Sequence, residues 1–521
     1  MNRFLILLVL SVVVYFVNLG GTSIYILDEA KNAGCASEML ARHDPIVPTF
    51  NGALRTDKPP LHYYFMMTAY AVFGVNAFAA RFFSAVAGIV LVMMMYVYVK
   101  RLRNESAAFF SALVLLSSLQ LAVQFHLAVP DPYLIVCIAF CLLSFYTGFH
   151  HAPRHILWVY VAAGLAFLAK GLVAVVLPGV IILVYLLSTR QLTGACLRKL
   201  NLLFGILIFC AIALPWYAAV GVATQGEWLR EFFVGHNLER YTSTMEGHGG
   251  FPLAPFVILL VGMLPFSVFI VQSATLAVRE KKENSFLWFC LITGVVFATF
   301  FSFSRTLLPS YPAPALPFVA ILLGAFLERF VHHNTFSSIK IKIALVVQSC
   351  LGVLIALGGC VALLHEKELN DLLPVLWIFL PLPIGSLVGW YAYRQHKNHH
   401  LVYAWAGSWM LVGVLFFAVA NPALDQKNPV AQSLPLLRST YGDRKVVAYH
   451  LFNPSYVFNL QRVVDVIDSP VELHDRIKNG QKIVVLTRAE YLHELPTTSP
   501  FRVVFRQRDL FESSETILLA N

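Results

Sequence analysis

Long apolar runs alternate with short polar segments over the first four-fifths of the chain. The runs lie near residues 4–27, 80–99, 106–128, 132–149, 155–169, 171–188, 200–221, 252–277, 285–303, 309–327, 341–364, 374–393 and 401–420. A helix needs about 20 apolar residues to cross the hydrocarbon core of a bilayer. The pattern therefore predicts an α-helical polytopic membrane protein with about thirteen transmembrane helices. The first run follows a lone Arg3 and could be read as a signal peptide. It is long for such a segment and no small-residue cleavage site follows it, so it is read as a span.

The pattern breaks in three places. Residues 25–64 and 222–251 are too polar to span and too long to be mere connectors, and long ordered loops tend to carry function. Their apolar residues (Ala33, Ala36, Met39, Leu40; Trp228, Leu229, Phe232, Phe233) recur at helical spacing. Short amphipathic helices lying in the membrane interface are expected there. After Asn421-Pro422 the residues take on a soluble composition. Short β-rich runs appear at Val446–Leu451, Val463–Ile467, Ile483–Thr487, Phe501–Phe505 and Thr516–Leu519. Between them Ser469–Asn479 reads as a helix, with Ser469-Pro470 at its start and Gly480 at its end. The chain thus divides into a membrane domain, 1–421, and a small soluble α/β domain, 425–521.

Composition narrows the class. Hydrophobic residues make up 58% and charged residues 13%, against about 25% charged in an average soluble chain. A soluble enzyme, a disordered protein and a secreted disulfide scaffold are excluded. The net charge of +10 would raise a nucleic-acid question in a soluble protein. Here it follows topology. With a cytoplasmic N-terminus and alternating sides, the inner segments hold sixteen basic and four acidic residues, and the outer segments before residue 421 hold ten and thirteen. That asymmetry obeys the positive-inside rule. An odd number of spans places the C-terminal domain outside.

The outer segments also hold the candidate chemistry. Asp28-Glu29 stands where the first span ends, with Lys31 one turn on, and Asp57-Lys58-Pro59-Pro60 closes the same loop. Charges at a membrane edge are costly unless they face water or a partner. The two prolines fix the backbone beside Lys58, a suitable place to grip a phosphate; an interfacial lysine with its head in water is the plain alternative. Asp131 sits in a Pro-Asp-Pro turn, either an ordinary turn residue or a third carboxylate aimed at the same outer space. Lys170-Gly171 reads as a tight outer hairpin, with a bare turn and a ligand role equally open. His236 and His248 in the second loop, near carboxylates, match no zinc spacing, so on spacing alone a metal site is the minority reading. Arg305 and Tyr311 flank another outer turn and serve either as phosphate contacts or as interface anchors. No nucleotide-binding loop, no zinc-protease motif and no nucleophile elbow is present.

Taken in order, these motifs resemble the bacterial polyprenyl-phosphate-sugar-dependent membrane glycosyltransferases of the GT-C fold. Within them the chain is most similar to the lipid A aminoarabinose transferases and the protein O-mannosyltransferase-like proteins grouped with them. The resemblance rests on Asp28–Leu40, Lys58–Leu61, Asp131-Pro132, Lys170-Gly171, Pro215–Tyr217, Phe232–Arg240 and Leu308–Tyr311, and covers nearly the whole chain. It implies a glycosyltransferase of the bacterial inner membrane, with normally inverting transfer from a polyprenyl phosphate donor to an envelope acceptor at the outer leaflet. A lipid A-like glycolipid is the first acceptor and a protein the second. Asp28 would be the catalytic carboxylate, with Glu29 and Asp131 as further catalytic candidates. Lys58, Lys31 and Tyr311 would contact the lipid phosphate, with Arg305 a further candidate. Asp57 with His236 or His248 would form the divalent-metal site, zinc or magnesium, that some relatives show; no nucleotide cofactor is implied. Lys31 stands where the family has Arg, which keeps the charge and loses the bidentate fork. Asn32, Gly34 and Ser37 depart from the family's Tyr, Glu and Arg, and Asp57 from its Glu, which leaves sugar and acceptor open. A lipid or sugar transporter or flippase is the competing class, although transporter sites usually lie at the midplane rather than at the outer edge.

Overall fold

The computed structural model describes residues 2–239, 251–333, 338–478, 481–495, 501–510 and 514–521. Seven helices among them are long and apolar enough to cross a membrane: Ala77–Leu102, Asp131–His150, Gly194–Ala223, Ala313–His332, Ile339–His365, Lys367–Arg394 and Asn398–Asp425. Two further pairs would raise the number to nine, Glu105–Ser117 with Leu119–Phe125 bent by 70° and Ala254–Gly262 with Phe266–Glu280 bent by 113°. This corrects the expected thirteen. The other apolar runs form helices of 14 to 17 residues: Arg3–Phe16, Ile156–Lys170, Val173–Ser188 and Phe286–Ser302.

The first run shows why counting apolar residues overshoots. It was expected to continue to residue 27, but the helix α1 (Arg3–Phe16) stops early. Asn18 adopts a left-handed φ of 50° and Gly20-Gly21 follows, a sequence with poor helix propensity. Fourteen residues rise about 21 Å at ~1.5 Å each, short of the ~30 Å core. The chain then turns into α2 (Leu27–Ala41). A hairpin follows, β1 (Thr49–Phe50) and β2 (Ala53–Leu54). Asn51-Gly52 forms its turn with φ of 54° and 77°, the pairing that a two-residue hairpin turn of matching twist requires. Next come α3 (Leu61–Phe73), α4 (Ala77–Leu102), α5 (Glu105–Ser117), α6 (Leu119–Phe125), α7 (Asp131–His150), α8 (Ile156–Lys170) and α9 (Val173–Ser188). Gly171, at φ 74°, makes the sharp turn between α8 and α9.

The helices pack around one large apolar core that runs from Leu7 to Phe417. Close approaches depend on small residues, as is usual where lipid offers no hydrophobic drive. A Cβ on Gly324 would lie 2.2 Å from Ser111 Oγ and 2.4 Å from Ser111 N. The two outer loops do form helices, but protein covers their apolar faces. On α2, Ala30, Ala33, Ala36 and Met39 are buried with Tyr63, Met66, Tyr70 and Phe458. In the second loop Trp228 and Phe232 are buried against Phe167, Trp216 and Tyr217.

The C-terminal strands form where the β-rich runs predict them: β3 (Lys445–Tyr449), β4 (Asp465–Ile467), β5 (Ile483–Arg488), β6 (Arg502–Arg508) and β7 (Glu515–Ala520). Their order is β4-β3-β5-β7-β6. β3 pairs parallel with β4 and β5, and β7 pairs antiparallel with β5 and β6. The parallel crossovers carry the helices Ser455–Leu460 and Pro470–Lys478, the latter close to the expected 469–479. Alternate residues of β3, β5 and β7 enter two apolar clusters, one on each face. The first of these includes Tyr25 and Phe50 of the outer loop, which seats the sheet on the membrane part.

Candidate functional site

The first turn of α2 separates two carboxylates. Adjacent residues on a helix point about 100° apart, and an acidic first turn suits the positive end of the helix dipole. Glu29 turns inward and is 1% exposed. Arg81, near the start of α4, donates to both its oxygens at 2.7 and 2.8 Å. The Ala128 N–H donates to Glu29 Oε1 at 2.9 Å. The same guanidinium donates to the carbonyls of Leu19, Thr22 and Ser23 at 3.0–3.1 Å. Glu29, a candidate for catalysis, thus has both oxygens occupied. A buried, bidentate pair of this kind fixes geometry, here the position of α2 against α4 and the chain before it.

Asp28 turns outward, with 48% of its side chain exposed. Its Oδ1 lies 3.9 Å from Lys58 Nζ and 3.7 Å from Arg55 Nη2. Burial acts to raise the Asp28 pKa, but Lys58 above all, then Arg55, Lys170 and His62, hold it below the usual carboxylate value. Asp28 is therefore ionised at neutral pH.

Arg55 was not singled out from the sequence. It follows the hairpin directly, and the hairpin is held by Glu38, which accepts from Thr49 Oγ1 at 2.7 Å and from the N–H groups of Asn51 and Gly52 at 2.6 and 3.2 Å. The Arg55 side chain is buried, donates to Asn32 Oδ1 at 2.9 Å and lies 3.4 Å from Asp57 Oδ2. Its backbone carbonyl accepts from Trp228 Nε1 at 2.9 Å, which ties the first outer loop to the second. The only sequence signal for Arg55 was a basic residue just before Asp-Lys-Pro-Pro. For Arg81 it was a lone charge at the mouth of a span.

Lys58 is buried and lies in the wall between two cavities. The first, about 410 Å³, is mostly apolar; Leu134, Ile138, Val173, Phe232, Phe297 and Phe301 line it. Its polar end holds Asp57, Lys58, Lys170 and Tyr311. The second, about 870 Å³, is lined by Asp28, Lys31, Asp57, Lys58, Tyr25 and Asn428 among others. Asp131 accepts from Lys170 Nζ at 2.6 Å, and the ammonium sits 5.2 Å from the centre of the Tyr311 ring. Asp131 is 6% exposed and engages this ammonium, so it aims a cation at the apolar cavity instead of facing Asp28. The structure therefore brings together Asp28, Lys31, Asp57, Lys58 and Tyr311 of the expected residues, and adds Arg55 and Lys170. Arg305 is exposed and lines neither cavity.

The expected metal set is Asp57 with His236 and His248. His248 and the side chain of His236 lie outside the described residues. Asp57 faces the Arg55 guanidinium, a cation where a second metal donor would be needed. Among the described residues no three His, Cys, Asp or Glu side chains gather as metal ligands do.

Comparison with known proteins fits this arrangement. A family described as dolichyl-phosphate-mannose-protein mannosyltransferase matches residues 57–218, which span Lys58, Asp131 and Lys170. Undecaprenyl phosphate-alpha-4-amino-4-deoxy-L-arabinose arabinosyl transferase 2 of Pseudomonas fluorescens is 26% identical over 99% of this chain and 89% of its own. The corresponding transferase of Pseudomonas savastanoi is 28% identical over 81% of this chain and 79% of its own. Among solved structures, ArnT from Cupriavidus metallidurans bound to undecaprenyl phosphate superposes with a TM-score of 0.83 at 23% identity, covering 99% of this chain and 97% of that one.

Proposed function

We propose that this chain, a bacterial GT-C membrane glycosyltransferase of the aminoarabinose-transferase type, moves a sugar from a polyprenyl phosphate to an anionic glycolipid, with lipid A as the first acceptor. The observation that carries the reading is the place of Lys58. It stands between an apolar cavity suited to a polyprenyl chain and a larger cavity whose lining includes Asp28, Lys31 and Asp57, suited to sugar and acceptor, 3.9 Å from Asp28. Transferases named for undecaprenyl-phosphate-linked aminoarabinose are similar over the full chain, which supports the same donor class here.

The roles follow from charge. The polyprenyl chain enters the apolar cavity, and Lys58 and Lys170 with the Tyr311 hydroxyl hold its phosphate. Lys31 supplies further positive charge from the larger cavity. An acceptor oxygen attacks the anomeric carbon, forming a new C–O bond as the bond to the phosphate oxygen breaks. The electron pair leaves with the polyprenyl phosphate, whose growing charge the two ammonium groups stabilise. A single displacement of this kind inverts the anomeric centre.

Asp28 sets the acceptor class. An efficient general base has a pKa near the working pH, and Asp28 is held below the ordinary carboxylate value. It is poorly matched to a neutral hydroxyl. A phosphate monoester, with a second pKa of about 6, is largely deprotonated at neutral pH and needs no general base; Asp28 then acts by holding the Lys58 and Arg55 cations beside the reacting groups. This favours a phosphate on a glycolipid over a protein hydroxyl. Asp131 and Glu29 act as positioning groups, for Lys170 and for α2.

The positive-inside asymmetry supports a cytoplasmic N-terminus and a periplasmic C-terminal domain (425–521). Seven or nine crossings are odd, as thirteen would be, and keep the two ends of the chain on opposite sides.

The test is transfer in proteoliposomes carrying undecaprenyl-phosphate-linked 4-amino-4-deoxy-L-arabinose and lipid A. A lipid A mass increased by one aminoarabinose is expected. Transfer to a serine- or threonine-bearing peptide instead would replace the acceptor class. Movement of the donor across the bilayer with no transfer would overturn the enzyme reading.

A further inference from the structure

The segments that precede Asp28 and Arg55 are each reached from the C-terminal part of the chain, at two separate places. The first lies just before α2. Asp425, where the Asn398–Asp425 helix hands over to the C-terminal unit, accepts from Ser23 N–H and Oγ at 2.8 and 2.6 Å. Asn459 donates to the Ile24 carbonyl at 3.1 Å, and Ser455 Oγ to the Tyr25 carbonyl at 2.8 Å. Tyr25 in turn donates from its hydroxyl to the buried Asp509 at 3.3 Å and accepts from Leu510 N–H at 3.2 Å. Three consecutive residues are thus bonded, and Asp28 follows three positions later. The second place is the hairpin tip. The Asn51 amide donates to the Val464 carbonyl at 2.9 Å and accepts from Val464 N–H at 2.7 Å, imitating a strand partner. Arg55 lies one residue beyond the hairpin, and its N–H closes back on the Pro48 carbonyl at 2.9 Å.

The geometry points to the C-terminal α/β unit as the positioning element that holds Asp28 and Arg55 in register across Lys58, through Ser455 and Asn459 at one end and Asn51 at the other. Neither attachment is explained by the packing of a dangling domain, which needs only apolar contact such as that of Phe458 with α2. One grips the backbone of residues 23–25 and the other the Asn51 side chain, and both do so within a few residues of a charged group at the site. The cost of a loose carboxylate is large: a displacement of about 1 Å in a positioned group can lower turnover roughly 100-fold. The inference rests on Asp28 acting in transfer.

Ser455, Asn459 and Asn51 line neither cavity, so their variants leave the substrate-facing surface intact. The full-length Ser455→Ala/Asn459→Ala double variant and Asn51→Gly, whose glycine accepts the left-handed φ of 54°, each lower kcat about tenfold. KM for the undecaprenyl-phosphate-linked donor and binding of undecaprenyl phosphate stay at wild-type values, and the melting temperature is maintained. Ser455→Thr, which keeps the hydroxyl, keeps wild-type kcat. Amide exchange rises at residues 23–30 in the double variant and at 49–55 in Asn51→Gly, a readout independent of turnover. Wild-type kcat in both variants, or losses of phosphate binding and melting temperature that parallel kcat, would overturn the inference. Asp28→Asn is run alongside. If Asp28→Asn abolishes transfer while the positioning variants keep it, this inference alone fails; if Asp28→Asn transfers normally, the assignment of Asp28 fails first.

Discussion

The first turn of α2 presents two carboxylates in unlike surroundings. Glu29 meets a guanidinium and a backbone N–H inside the protein and is saturated. Asp28 meets Lys58 and Arg55 at 3.7–3.9 Å, longer than direct hydrogen bonds, on a cavity wall. One residue of sequence separates a group that holds the fold from a group with bonding capacity to spare. An acid beside a base is not yet a site; what marks the site is the unused capacity of the acid and the open volume before it.

This contrast can be broken from either side. The largest effect on stability is expected at Arg81. Arg81→Met leaves Glu29 buried and unpaired, which costs about 3–5 kcal/mol, read as a lower denaturation midpoint in detergent together with lost transfer. Next comes Lys58. Lys58→Ala removes a charged contact worth about 1.5–3 kcal/mol, and undecaprenyl phosphate binding should weaken roughly 10- to 100-fold by calorimetry while the denaturation midpoint barely moves. The same variant sharpens the view of Asp28 through pH. Lys58 is the chief group lowering the Asp28 pKa, and transfer needs the ionised carboxylate, lost as pH falls through that pKa. In the wild type the acid limb from Asp28 falls below the ordinary carboxylate range; in Lys58→Ala it moves to higher pH. The smallest effect is expected at Arg305, exposed and away from both cavities. Arg305→Ala should change donor binding by no more than about 0.5 kcal/mol, as surface substitutions usually do.

Much of this was legible in the sequence, for identifiable reasons. The five C-terminal strands stand where short β-rich runs predict them, because β3, β5 and β7 are buried on both faces and such strands read as continuous apolar runs. The rigid placement of Lys58 followed from Pro59-Pro60, and the α8–α9 turn from Lys170-Gly171. The span count failed because apolarity reports burial from water and not helix continuity: Asn18 with Gly20-Gly21 ends α1 inside an apolar run, and bends of 70° and 113° break two more. The inward turn of Glu29 was not legible because adjacent residues on a helix face different ways, and only the packing of α4 says which faces in. Arg55 was missed because its meaning comes from a hairpin and from partners far along the chain, Asn32 and Trp228. For Lys170 the sequence leaves a bare turn and a ligand role level, because the partner that holds its ammonium, Asp131, lies 39 positions earlier.

The most direct test of the central claim is a single-turnover measurement on Asp28→Asn loaded with undecaprenyl-phosphate-linked 4-amino-4-deoxy-L-arabinose and mixed with lipid A. The account predicts donor binding and denaturation midpoint equal to the wild type, with transfer slowed roughly 100-fold, as loss of a positioned group does. Transfer at the wild-type rate by a variant that binds donor normally would contradict it.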